Sequence, residues 1–332
     1  MINDFTDLNL NCIKDIQGAI KNNKLVLFIG AGISVNSGAP SWKELIIEMA
    51  KDLGITKTNF SQDEYLKIPQ YYFNEYKEAA YKKKINKIFN LKLSPNPINN
   101  LIFELNPAYV ITTNYDSLLE QIAPASYSVI RKNSEMPYLK TKKAIIKMHG
   151  DFVADNIVLK EDDYLNYSTN FKLIETFIKS IIATHTVVFV GYSINDYNVN
   201  LIFQWVKEVL GKDHQPAYLL NVDLKSDTAV NPRLIYDYYK HKNIYQLSYS
   251  QIEKAMENFW NKDLVIKDNI DKKLKQSEKS IEGRGLATYY FLSFIKYYYS
   301  DEMVIDDYYM KLSILSKLNS CFNFDIEELL NE

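Results

Sequence analysis

Short apolar runs recur along the chain: LVLFI at 25–29, AYVIT at 108–112, AIIKM at 144–148, TVVFV at 186–190, AYLLN at 217–221 and NIYQL at 243–247. Each is β-branched or aromatic, apolar on both faces and stopped by a polar or glycine residue, the pattern of a buried strand. Helix-period stretches lie between them at 41–53, 115–122, 172–184, 195–210, 230–241 and 250–260. Strands that are apolar on both faces and alternate with helices predict an α/β fold. The expected architecture is a doubly wound, Rossmann-like parallel sheet over about residues 12–260. Two stretches break the alternation. Residues 55–104 are rich in Tyr, Lys and Asn with no clear strand, and residues 151–171 are polar and irregular; both read as insertions forming a small helical cap. Residues 261–332 read as a charged linker followed by a C-terminal helical appendage rich in tyrosine.

Composition narrows the class of protein. The 332 residues are 47% hydrophobic and 24% charged, an ordinary globular balance, and the formal charge of −2 supplies no reason to expect nucleic acid as a ligand. Cys12 and Cys321 stand at opposite ends of the chain, so neither a disulfide framework nor a CxxC zinc site is expected. The N-terminus lacks a signal-peptide pattern and no apolar run reaches the roughly 20 residues of a membrane span. A cytoplasmic protein with no membrane partner is the expectation. Glycine is scarce, 10 in 332, about half the usual share of roughly 7%. Half of those few, Gly30, Gly32, Gly38, Gly150 and Gly191, fall inside short motifs.

The position of those motifs carries the functional reading. GAG (Gly30, Ala31, Gly32) follows the first strand, TNYD (Thr113 to Asp116) the second, HGD (His149 to Asp151) the third and GYS (Gly191 to Ser193) the fourth, while Asn221 closes the fifth. Ligands of open α/β sheets bind beyond the C-terminal ends of the strands, so one rim gathers the chemistry. The glycine turn ahead of a helix near Ser41 fits either a phosphate cradle or a tight turn without a ligand. It is not the full GxGxxG fingerprint, since residue 35 is valine, and no acidic strand end follows about 20 residues later; hydride transfer is disfavoured. Taken alone, Asn114 and Asp116 fit helix caps better than ligand contacts. Of four histidines, only His149 stands on the rim, where an imidazole can act as a general base.

Taken together these motifs resemble the sirtuin family. GAGIS with the following GAP is similar to the sirtuin phosphate-binding loop, TTNYD to the Asn–Asp motif, HG to the catalytic histidine, GYS to the Gly–x–Ser contact and Asn221 to the asparagine at the adenine-side ribose. They occur in family order across about residues 24–250. Two departures stand out. Residues 151–190 contain no cysteine where sirtuin deacylases carry a zinc ribbon, and Ala39, Pro40, Ser41 and Trp42 replace an Ile-Pro-x-Phe-Arg loop. Zinc-free domains of this type resemble bacterial defence-associated sirtuins, also in KEDDYLNY at 160–167.

The resemblance implies a gated NAD glycohydrolase that depletes NAD in antiphage defence, with NAD as substrate and no zinc. It implies catalytic roles for Asn114, His149 and Asp116. Gly30, Ala31, Gly32 and Ser34 would contact the diphosphate with Thr113 and Gly191 nearby, and Ser193 and Asn221 the adenosine side. A homo-oligomer, with a tetramer favoured, and a phage-protein activator or sensor partner are the expected associations. Two rivals remain: an NAD-dependent deacylase or ADP-ribosyltransferase, and a non-catalytic module that senses NAD or ADP-ribose.

Overall fold

The computed structural model describes residues 4–192, 196–221 and 232–248, together with residues 285, 288–289, 291–293 and 295–296. Seven strands among them form one sheet: β1 (Leu25–Ile29), β2 (Tyr109–Thr112), β3 (Tyr127–Ile130), β4 (Lys143–Lys147), β5 (Thr186–Val190), β6 (Ala217–Asn221) and β7 (Ile244–Ser248). Their order is β3-β4-β2-β1-β5-β6-β7, and every neighbouring pair is parallel. The chain builds outward from β1 to one side and then returns to lay β5 against the other side of β1. That reversal is the topological switch at which ligands of such sheets bind.

Strand residues alternate between two cores because successive side chains point to opposite faces. Leu25, Leu27, Ile29, Val110, Ile145, Val188 and Val190 face one layer, where they meet Ile13 and Ile16 of α1 (Asp4–Lys21) and Ile98, Leu101 and Ile102 of α5 (Pro97–Glu104). Val26, Phe28, Ile111, Ile146, Val187 and Phe189 face the other. There they meet Ile174, Ile178 and Ile181 of α8 (Lys172–Thr184) and Ile202 and Val206 of α9 (Tyr197–Leu210). Helical residues Phe291, Leu292 and Ile295 of the C-terminal segment are buried in the first of these layers, beside α1. The short helix α10 (Pro232–Lys240) precedes β7.

A third core links the two insertions to the sheet domain. Leu45, Ile46 and Met49 of α3 (Trp42–Asp52) pack with Ile68, Tyr72, Tyr81 and Ile85 of α4 (Gln62–Phe89) and with Leu159. α4 starts at a capping box, Ser61 and Glu64 exchanging side-chain and backbone bonds, and contains a kink at Lys77, whose φ is 64°. Gln70 of α4 donates to Asp162 of α6 (Glu161–Leu165), which is followed by α7 (Tyr167–Asn170). No helix among the described residues is long and apolar enough to cross a membrane.

Three readings of the pattern need correction or addition. Residues 115–122 form turns, not a helix: Asp116 Oδ1 accepts from the Leu118 N–H, and the Tyr115 hydroxyl is drawn away to the Val158 carbonyl. A short acidic side chain that captures nearby N–H groups competes with helical bonding. The edge strand β3 and the N-terminal helix α1 were not distinguished by periodicity. β3 is four residues long with partly exposed Ser128 and Val129, too short to show a period. The helix expected at 250–260 lies outside the described residues.

Candidate active site

Four adjacent strands, β4, β2, β1 and β5, deliver their following loops to one rim. Between those loops lies a cleft that is open to solvent at its mouth. Ala31 and Ser34 line it from β1, Thr113 to Asp116 from β2, His149 from β4 and Asp196 from β5. Trp42, Phe89, Leu93 and Tyr164 supply an apolar wall.

The loop after β1 opens directly into a short helix, α2 (Ala31–Ser34), capped by Gly30. Its glycines are required by the neighbouring loop. A Cβ on Gly30 would lie 2.3 Å from the Gly191 carbonyl oxygen, and one on Gly32 2.8 Å from the same atom. Gly191 itself adopts a φ of +62°, and a Cβ there would meet Ile33. The Gly30 and Gly32 N–H groups donate to the carbonyls of Val190 and Gly191 at 3.0 and 2.9 Å. These two N–H groups therefore serve loop-to-loop packing, where the sequence suggested that they face a phosphate. Ser34, 4% exposed, is left at the cleft.

Asn114 is set by its neighbours. The buried Thr112 hydroxyl donates to the Ile29 carbonyl and accepts from the Asn114 N–H. The Asn114 amide nitrogen donates to the Gly30 carbonyl at 3.1 Å and to Ser34 Oγ at 2.9 Å. Both of its hydrogens are thus committed, and the group it keeps for a ligand is the acceptor Oδ1. Ser34 passes its own hydrogen to Asp116 Oδ2 at 2.7 Å. Asp116 consequently holds a loop in place, and its carbonyl accepts from the buried ammonium of Lys147. Lys147 also pairs with Glu120 at 3.0 Å, and Arg131 beside it pairs with Asp151 at 2.6 Å.

His149 is 3% exposed, and its ring meets Tyr164 and Tyr167 edge to face. Gly150 follows at a φ of +68°, where a Cβ would strike Asn156, so the turn after the histidine needs glycine. Burial pushes the imidazole below its ordinary range, opposed by the charges of Asp196 and Asp163. A neutral imidazole is the form a general base requires. The phenols of Tyr115, Tyr164, Tyr167 and Tyr192 are pushed up by burial and stay protonated. Among the described residues no group of three or more His, Cys, Asp or Glu is gathered as a metal site.

The structure thus brings Ala31, Ser34, Thr113, Asn114, Asp116 and His149 around one cleft, with Gly30, Gly32 and Gly191 behind it. Asn221 closes β6, and Ser193 lies outside the described residues. Sequence reading missed three participants. Asp196 falls in the helix-period stretch 195–210, Tyr164 in an irregular insertion and Lys147 in a strand. Lysine inside an otherwise apolar strand was the available signal for the last, since a buried lysine needs a partner.

Residues 108–246 match the SIR2-like domain family. The chain is 41% identical over 221 residues to Defense-associated sirtuin 2 of Bacillus subtilis, covering 63% of this chain and 22% of that protein. It is 28% identical over 212 residues to the NAD(+) hydrolase ThsA of Cytobacillus dafuensis, covering 62% and 42%. Its identity to the NAD(+) hydrolase ThsA of Bacillus cereus (strain MSX-D12) is 29% over 223 residues, covering 63% and 45%. Of the residues that line the cleft, Thr113, Asn114, Asp116 and His149 lie within the span that matches SIR2-like domains. Over part of its length the chain is thus similar to a defence-associated sirtuin. It spans about a fifth of the length of the Bacillus subtilis relative and under half of these two hydrolases.

Proposed function

We propose that this domain binds NAD in the rim cleft and hydrolyses its nicotinamide–ribose bond, releasing nicotinamide and ADP-ribose. The observation that carries the reading is the meeting of Asn114 and the buried His149 on one cleft at the sheet's switch point. Relatives named NAD(+) hydrolase support the same chemistry. Two polar atoms of the lining, His149 Nε2 and Trp42 Nε1, are buried without a hydrogen-bond partner among the described residues, as expected where a polar ligand belongs.

Cleavage passes through an oxocarbenium-like state that needs positioning more than strong acid. Asn114 Oδ1 would accept from a ribose hydroxyl or the attacking water. His149 would take the proton of that hydroxyl or water. Asp116 would act indirectly, by holding Ser34 and through it Asn114. The reaction would serve defence by NAD depletion, in line with the names of the relatives. Since a freely active NADase harms its own cell, activity would be low until assembly into a homo-oligomer, or a partner such as a phage protein, releases it.

The test is NAD incubated with wild-type protein and the Asn114→Ala and His149→Ala variants, with no peptide, nicotinamide and ADP-ribose being followed by chromatography. Free ADP-ribose from the wild type alone is the expected result. Turnover that depends on an acyl-peptide or protein acceptor would move the assignment to deacylation or ADP-ribosyl transfer. NAD binding without turnover under activating conditions would make the domain a sensor.

A further inference from the structure

Asp196 opens α9 and its side chain accepts from the Val199 N–H, an ordinary cap. Its other oxygen does something a cap does not require. Oδ2 lies 3.5 Å from Nε2 of His149 and accepts from the Tyr164 hydroxyl at 3.1 Å. Nε2 is buried and has no hydrogen-bond partner among the described residues. Its charge also helps to push up the phenols of Tyr115, Tyr164, Tyr167 and Tyr192, after burial. Asp163, the other carboxylate that His149 senses, is turned to Lys160 and to the N–H groups of Leu159 and Lys160.

We propose that Asp196 is a positioning residue for His149: facing Nε2, it holds the neutral ring as the Nε2–H tautomer, so that Nδ1 receives the substrate's proton. This rests on the reading of His149 as the base for NAD cleavage. In the step, the O–H bond of the ribose hydroxyl or water breaks, its electron pair stays on oxygen and an Nδ1–H bond forms. The imidazolium's positive charge is balanced by the Asp196 carboxylate, which takes no proton. The 3.5 Å separation is longer than a good hydrogen bond. It shortens as the ring becomes cationic, since catalytic contacts tighten when the reacting complex forms. Tyr164 steadies the acceptor by occupying part of its lone-pair capacity, and its phenol, kept protonated by burial, stays the donor in that contact.

The experiment pairs turnover with a readout independent of it. Asn at 196 keeps a helix cap but removes the charge. In Asp196→Asn the NAD-cleavage rate should fall by about tenfold to a thousandfold, within the range general-base catalysis contributes, with KM little altered. The acid limb of its pH profile should move to lower pH. Nitrogen-15 NMR of histidine-labelled protein, with His149→Ala identifying the resonance, should show the Nε2–H tautomer in the wild type. In Asp196→Asn the His149 midpoint should drop and that tautomer preference should be lost. An unchanged midpoint and tautomer in Asp196→Asn overturns the inference whether or not NAD is cleaved. Absence of cleavage by the activated wild type instead overturns the functional reading. Should Asp196→Asn fail to fold, Tyr164→Phe replaces it: freeing Oδ2 should raise the His149 midpoint, and no change there sinks the proposal.

Discussion

The hydroxyl of Ser34 donates to Oδ2 of Asp116 at 2.7 Å, joining two loops whose residues are 82 positions apart. Ser34 Oγ in turn accepts from the Asn114 amide, so one small side chain sets the position of a candidate catalytic residue. Ser34→Ala removes a donor and an acceptor at once. It should cost about 1–3 kcal/mol of stability, the penalty for leaving buried polar groups unpaired. NAD turnover should fall at least about tenfold. Full activity in Ser34→Ala would show that Asn114 is positioned by other means.

The glycines can be ranked by what surrounds them. At Gly30 a Cβ would sit 2.3 Å from a backbone carbonyl, while at Gly38, with φ +80°, nothing lies within 4 Å. Gly30→Ala forces the two loops apart, and overpacking of this kind costs about 1–3 kcal/mol or more. Gly38→Ala meets only left-handed strain of about 1–2 kcal/mol. Thermal denaturation should therefore place Gly30→Ala below Gly38→Ala, and NAD turnover should be lost only in the former.

Lys147 is 1% exposed and neutralised by Glu120 at 3.0 Å. Lys147→Met strands the Glu120 carboxylate and releases the Asp116 carbonyl. Loss of one partner of a buried pair costs about 3–5 kcal/mol. The double variant Lys147→Met with Glu120→Leu should recover part of this stability, because no unpaired charge remains. Urea unfolding of the single and double variants measures both terms; an additive loss would contradict the pairing.

Burial holds His149 and His185 below the ordinary imidazole range. The folded chain then takes up these protons less readily than the unfolded chain, whose imidazoles titrate at about 6.5. Their contribution is complete above that pH and is lost as pH falls through the lower, folded values. Urea midpoints should decline as pH is lowered through and below about 6.5, and His149→Gln should flatten that decline. An identical slope in the variant would mean that His149 is protonated without penalty.

What the sequence by itself determined is the local material of the fold. Six apolar runs, each of which is a strand in the structure, could be read because a strand's burial pattern is contained in its own few residues. Their polar and glycine endings marked the rim for the same reason. What tertiary structure decided is which endings meet. The order β4-β2-β1-β5 sets Asp196 against His149 and Lys147 beneath Asp116, and no period in the chain encodes that order. It also turned 115–122 away from a helix, since Asp116 and Tyr115 find partners outside the segment. The glycines of GAG stood out in the sequence, yet their reason, the Gly191 carbonyl oxygen 2.3 Å from a Cβ at Gly30, exists only once β5 lies beside β1.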